Sequence, residues 1–362
     1  MALIWLDNFA MYGSGSAAKP VMLDGIYGQV GGLGPTQAVA RIAGGWSYDC
    51  KPNASPTDVA LRRIFLSSDG ETGVGFAAYF PVIDGDTDLI HFSFRDYGNS
   101  EQVFFNVNVD GAIEAWRAAG GIGQQPVLLG KTADGMVLPL TWVYLELRVW
   151  AHDSTGTIEV RVNGFTQLYL DGQDTRAGAY DGCGQFSIIV TYLPSSTGNQ
   201  VYVTDFVGFV EGSDEPAAGF FGAKYIKDLT VSADGTPSQW GLYGAATAAE
   251  AVDDAAPDGD TSYIYSLTPG NESRFVLTNT YGEEHGQILG TQVYSVQRKT
   301  QTGHMRTRLD IAVGATVAQG VDRPTTENWT GYTDKWLIDP STGLLWTRAG
   351  LDAMQLRLVH TA

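Results

Sequence analysis

The stretch Trp142–Thr175, WVYLELRVWAHDSTGTIEVRVNGFTQLYLDGQDT, reads as three consecutive antiparallel strands. Val143, Leu145, Leu147 and Val149 alternate with Trp142, Tyr144, Glu146, Arg148 and Trp150. Ile158, Val160 and Val162 alternate with Thr157, Glu159, Arg161 and Asn163. A period of two gives a strand one core-facing side and one outward side. Asn163-Gly164 separates two such runs, and this dipeptide supplies the positive φ values of a two-residue hairpin turn. Thr157–Asn163 and Phe165–Leu170 are therefore expected to pair.

The same period recurs outward from this stretch. Ile90, Phe92 and Phe94 alternate with polar neighbours, as do Val103, Phe105, Val107 and Val109, with Asp110-Gly111 marking a turn. Strand patterns resume late in the chain at Ser262–Ser266, Arg274–Thr278, Gln292–Gln297, Met305–Val313 and Ala353–Thr361. The 45 glycines suit many tight turns. The expected fold is all-β, an N-terminal β-sandwich over 1–212, a jelly roll by the resemblance described below, and a second, smaller antiparallel β-sandwich domain over 261–362. Between them, 213–260 reads as a connecting strand and an acidic loop, with Ala245–Asp260 as an exposed connector or long loop.

Composition narrows the function classes. The 362 residues carry 22 Lys and Arg against 40 Asp and Glu, a net charge of −18. Such a chain does not suit wrapping nucleic acid, whose phosphates require basic partners, nor docking on an anionic membrane. No run of about 18 apolar residues occurs, so no membrane insertion is expected. MALIWLDNF has no basic residue ahead of its apolar stretch and is not read as a signal peptide. Cys50 and Cys183 are too few for a disulfide framework and read as buried thiols, with a bridge between them left open.

Few residues of the chain form a recognisable chemical motif. Asp84, Asp86 and Asp88 alternate like the start of a calcium loop, but Leu89 stands where an EF-hand needs glycine and Arg95 where it needs glutamate. A looser calcium site from these three carboxylates is the one metal reading left, and no other cofactor is expected. Gly130-Lys131-Thr132 lacks the first glycine of a phosphate loop, since position 125 is Gln125. Gly13, Gly15 and Ala18 match a dinucleotide fingerprint with no βαβ pattern behind them. The five histidines are not at metal-ligand spacing. No strand carries the alternating acids with which jelly-roll glycosidases flank a sugar bond, and Glu146 and Glu159 read as solvated single acids. The expectation is that the chain is not an enzyme. Trp116, Trp142, Tyr144 and Trp150 are candidates to stack on sugars or to pack against a partner.

Several segments resemble bacteriophage virion proteins that carry an N-terminal concanavalin A-like (laminin-G-like) jelly roll. The junction Gln200–Gly235 carries the resemblance through Asp205, Glu211-Gly212, Phe221-Gly222, the new strand at Ile226-Lys227-Asp228-Leu229, and Trp240. So do Trp142–Thr175, the opening Trp5-Leu6-Asp7-Asn8-Phe9 with Tyr12, and DPSTGLLW at Asp339–Trp346. The resemblance implies a first strand that closes onto the last strand of its domain. It also implies a structural component of a tailed-phage virion, assembled in the host cytoplasm, in the tail, fibre or adsorption apparatus. The implied partners are other virion proteins, further copies of the chain, and host-surface carbohydrate. The alternatives are a capsid decoration or head-fibre protein, and a carbohydrate-binding lectin or glycan depolymerase.

Overall fold

A computed structural model of the chain describes residues 2–7, 9, 29–30, 34–36, 38–41, 47–51, 57–64, 70–85, 87–120, 124–191, 200–210, 220, 222, 224, 226–254, 260–279, 287–300 and 303–362. Asn8, Tyr12, Gly13, Gly15, Ala18, Asp86, Glu211-Gly212 and Phe221 of the motifs read from the sequence lie outside the described residues. The protein forms two compact β units, one reaching Ile226 and one beginning at Lys227.

The first unit is the jelly roll. Its strands are β1 (Ala2–Asp7), β2 (Gln29–Val30), β3 (Gly34–Thr36), β4 (Ser47–Asp49), β5 (Thr57–Ile64), β6 (Thr72–Tyr79), β7 (Ile90–Arg95), β8 (Glu101–Val107), β9 (Ile113–Arg117), β10 (Val127–Lys131), β11 (Trp142–Trp150), β12 (Gly156–Val162), β13 (Phe165–Gln173), β14 (Gln185–Thr191) and β15 (Tyr202–Val210). They make two antiparallel sheets. The first runs β13-β12-β11-β6-β15-β4-β3, and β1 also pairs with β15; the second runs β10-β9-β8-β7-β14-β5-β2. The first strand therefore closes onto the last, with Ala2 opposite Val210. Asn163 and Gly164 take φ of 52° and 87°, the two left-handed residues of the expected hairpin turn.

Aromatic rings fill the space between the sheets. Phe76 stacks on Phe206 at 5.1 Å and tilts against Phe92 at 5.0 Å, while Phe94 meets Phe186 edge-on at 5.4 Å. Leu145, Leu147 and Val160 are fully buried among them. Cys50 and Cys183 are free, buried thiols whose pKa values burial pushes up. Val109 departs from the expected inward row. The strand ends at Val107, the Asn108–Gly111 turn follows, and Val109 is exposed.

The second unit is built on an antiparallel sheet that orders Val231–Ser238, Glu272–Leu277, Met354–His360, Arg306–Val313 and Thr316–Ala318, with Arg323–Pro324 also on the fourth strand. Phe275, Leu309, Ile311 and Leu358 from this sheet pack with Trp240, Val293, Trp346 and Leu351. Two sequence expectations are corrected here. The strand read at Ile226–Leu229 begins instead at Val231, because the Ile226 amide is tied to Asp205 Oδ1 at 3.1 Å. Ala245–Asp260 is not wholly an exposed connector. The Asp234 carboxylate accepts from Ala248 N at 3.3 Å and Ala249 N at 2.6 Å, which sinks Ala248 into the core.

Candidate functional site

Each sheet of the jelly roll has an inner face in the aromatic core and an outer face. On the first sheet the outer face is largely closed. Tyr144 points away from the core, yet is only 1% exposed. Arg41 lies over its ring at 5.2 Å, pairs with Asp205 at 2.7 Å and donates to the Lys224 carbonyl at 2.6 Å. Beside it, Glu146 accepts from Gly222 N at 2.8 Å. Glu159 is held by Arg148 at 2.6 Å and Arg161 at 2.8 Å, and Phe220 lies under both guanidiniums. Glu146 and Glu159 are thus buried, not solvated as their outward positions suggested, because the segment that leaves the domain crosses this face. Tyr144 is likewise corrected as an exposed contact residue.

Trp142 and Trp150 sit at the two ends of β11 and are half-buried. Trp142 packs on Tyr79 at 5.4 Å, and Tyr79 on Tyr202 at 6.1 Å. The Tyr202 hydroxyl is pushed up to about 12, by burial first and then by Asp49. Trp150 stacks on His152 at 6.1 Å.

The outer face of the second sheet is different. Strand register sets Trp116 opposite Phe104, Phe104 opposite Ser93, Ser93 opposite Ser187, and Ser187 opposite Arg62. One row of side chains therefore crosses five strands, four spacings of about 4.8 Å, or about 19 Å. Beside it, His91 stacks on Phe104 at 4.1 Å, and Trp116 lies parallel to Phe104 at 6.2 Å. Trp116 Nε1 donates to Asn106 Oδ1 at 3.0 Å and Glu114 Oε2 at 3.2 Å, which fixes the indole in place. In the next row Arg95 stands opposite Gln185 on one side and Glu101 on the other.

This face has an unusual polar economy. Among the described residues, eleven buried side-chain polar atoms lack a close hydrogen-bond partner, and six of them belong here: Arg62 Nε, Arg95 Nε, Gln185 Oε1 and Ser187 Oγ, together with Ser93 Oγ and Glu101 Oε1, whose side chains still act on each other. Each such atom costs roughly 1–3 kcal/mol while unpaired. Ser93 and Ser187 are fully buried at the floor, while Arg62, His91, Arg95, Glu101 and Trp116 rise partly into solvent. Burial alone would push the Glu101 carboxyl up; His91 and Ser93, with Arg95 behind them, hold it below the usual range. His91 Nδ1 lies 3.8 Å from Glu101 Oε1.

Of the four aromatic candidates, only Trp116 belongs to this face; Trp142, Tyr144 and Trp150 are on the other sheet. Asp84 sits in a turn closed by Thr87, Asp86 lies outside the described residues, and so does the side chain of Asp88. Among the described residues no three His, Cys, Asp or Glu side chains converge as metal ligands. Sequence reasoning missed Arg62, His91, Ser93, Arg95, Glu101, Gln185 and Ser187. The signal was present in part, since His91, Ser93 and Arg95 occupy the polar positions of the Ile90–Arg95 alternation.

No family model and no curated protein matches the chain. Solved structures similar to the chain include the alginate lyase Aly36B, at 15% identity and a TM-score of 0.34 over 56% of this chain and 95% of that one. An alginate lyase from a Chlorella virus has 11% identity and a TM-score of 0.30, over 51% and 82%. A carbohydrate-binding module, CBM66 from Bacillus subtilis, has 9% identity and a TM-score of 0.29, over 49% and 96%. Likeness at this level assigns no activity. It does correct the expectation that the chain is not an enzyme, because lyases are among the similar folds. The lack of alternating acids speaks only to the two-carboxylate glycosidase pattern.

Proposed function

We propose that the jelly roll is a carbohydrate-recognition domain whose ligand lies along the outer face of the second sheet, over the row Trp116–Phe104–Ser93–Ser187–Arg62. The observation that carries this reading is the concentration there of buried, unpartnered donors and acceptors beside an aromatic ladder. A fold retains such atoms at a cost, and a hydroxyl-rich ligand is the chemistry that satisfies many of them together. Sugar ring faces supply the apolar surface that meets Trp116.

The resemblance at the domain junction adds a setting to the same proposal: a component of a tailed-phage virion, in the tail, fibre or adsorption apparatus, with this face turned to host-surface glycans. Contact with other virion proteins and with further copies of the chain belongs to that setting. Copy number in purified particles tests it, since hundreds of copies point to the capsid and a small multiple of three or six to the tail.

Affinity electrophoresis through polysaccharide-loaded gels tests the glycan reading. The intact protein is expected to be retarded by at least one polysaccharide, Trp116→Ala to lose that retardation, and Trp142→Ala to keep it. Retardation that survives Trp116→Ala and vanishes with Trp142→Ala would move the ligand to the first sheet and overturn the proposal. New reducing ends in the same gels would make the face a depolymerase site.

A further inference from the structure

The charges on the outer face of the second sheet are unevenly paired. Among the described residues Arg62 has no carboxylate partner, and its Nε is buried without a hydrogen bond. Arg95 spends one terminal nitrogen on the Asn99 carbonyl at 2.9 Å and Asn99 Oδ1 at 3.1 Å, and its Nε also lacks a partner. Elsewhere arginines are matched: Arg41 with Asp205, Arg148 with Glu71 and Glu159, Arg308 with Asp310, Arg323 with Asp334, and Arg357 with Glu272 and Asp310. With 40 acids to 22 bases, partners are abundant in this chain. An arginine left without one, half-buried, stands out against that background.

Register brings the two together. Arg62 stands opposite Ser187 and Arg95 opposite Gln185, so the two arginines flank β14 from strands about 10 Å apart. Both can lean over the Ser187 hydroxyl and the Gln185 side-chain oxygen. Burial first, and then the charge of Arg95, lower the Arg62 pKa. The two cations therefore feel each other in a partly desolvated place, where an anion between them relieves the repulsion. Glu101, on β8, stands opposite Arg95 on the side away from β14 and takes up part of its charge, whereas it lies three strand spacings or about 14 Å from Arg62, which makes Arg62 the less compensated cation of the two.

We infer that this face selects acidic polysaccharides, seating a sugar carboxylate between Arg62 and Arg95 above the Ser187 hydroxyl. The inference rests on the glycan reading of the same face. A guanidinium fork accepts a planar carboxylate in two parallel hydrogen bonds, a match that a hydroxyl does not make. Ring hydroxyls then fall toward Ser93, Glu101 and His91, and an apolar ring face toward Trp116.

The test measures binding of the intact protein to a carboxylated polymer (polygalacturonate or alginate), a sulfated one (dextran sulfate) and a neutral one (dextran). The carboxylated polymer is expected to bind at least about tenfold more tightly than the neutral one, the equivalent of one charge-assisted contact. Arg62→Gln and Arg95→Gln should each remove most of that preference, with Arg62→Lys losing less. Added salt should weaken it. A melting temperature equal to that of the parent confirms that each variant is folded. Equal binding of dextran and polygalacturonate, or a preference for the carboxylated polymer untouched by Arg62→Gln and Arg95→Gln, overturns the inference. Dextran sulfate bound more tightly than either carboxylated polymer overturns the carboxylate assignment. Dextran binding lost in Trp116→Ala, with no acidic preference, sinks the inference and keeps the glycan reading. No binding of any glycan, in gels or in titration, sinks both.

Discussion

Arg41 and Asp205 are separated by 164 residues yet form one buried pair, with side chains 10% and 7% exposed. Asp205 holds a left-handed φ of 52° at an irregularity in the β15–β6 register, which swings its carboxylate onto the outer face of the first sheet. Burial raises its pKa; the Ile226 amide and Arg41 oppose that rise without cancelling it. An acid whose folded pKa is raised costs stability as pH climbs from its unfolded pKa through its folded one. Removing Arg41 leaves the carboxylate uncompensated. Arg41→Ala is expected to cost about 3–5 kcal/mol at neutral pH, measured by denaturant unfolding. The deficit should shrink as pH falls and Asp205 takes up a proton. Glu101 behaves oppositely. Its folded pKa is lowered, so its stabilisation is present above the ordinary carboxylate range and fades as pH falls through its folded value.

At the scale of single elements, β6 shows why the outer face of the first sheet could not be read from the chain. Its inward residues, Val74, Phe76 and Ala78, follow the alternation, but Gly73, Gly75 and Ala77 on the other face are buried as well. A Cβ at Gly73 would overlap the Phe209 ring, and one at Gly75 would come within 2.7 Å of the Tyr144 hydroxyl. These glycines make room for aromatics that lie flat on the sheet. Gly75→Val is expected to destabilise by about 1–3 kcal/mol through overpacking and by more if Tyr144 is displaced, seen as a lower denaturation midpoint with an unchanged slope. The hairpin at Asn163-Gly164, by contrast, was legible because its turn chemistry is local. Tyr144 was misjudged because its cover comes from Arg41 and from residues beyond 220, and period two says only which way a side chain points. The binding face was half legible. Trp116 was singled out as an aromatic, but Arg62, Ser93 and Ser187 form a row only once β5, β14 and β7 are neighbours, a pairing that sequence spacing does not reveal.

At the scale of the whole molecule, a net charge of −18 makes general attraction for acidic polymers unfavourable. Binding of one must come from a local arrangement, and the row from Trp116 to Arg62 is where the structure concentrates unsatisfied polar atoms and an unmatched cation. The second unit offers a contrast. Its sheet also carries an array of charges, but Asp310, fully buried, lies between Arg308 at 2.7 Å and Arg357 at 2.6 Å, and Arg357 also holds Glu272. Asp310, Arg308, Arg357 and Glu272 satisfy one another, and among the described residues of that sheet Arg274 Nε is the buried side-chain polar atom left without a hydrogen-bond partner. The most direct measurement is a crystal structure of the intact protein with an acidic oligosaccharide. The account predicts sugar density across the outer face of β9, β8, β7, β14 and β5, with a carboxylate between Arg62 and Arg95 and a ring against Trp116. Density confined to the Trp142–Tyr79–Tyr202 cluster, or to the second unit, would contradict it.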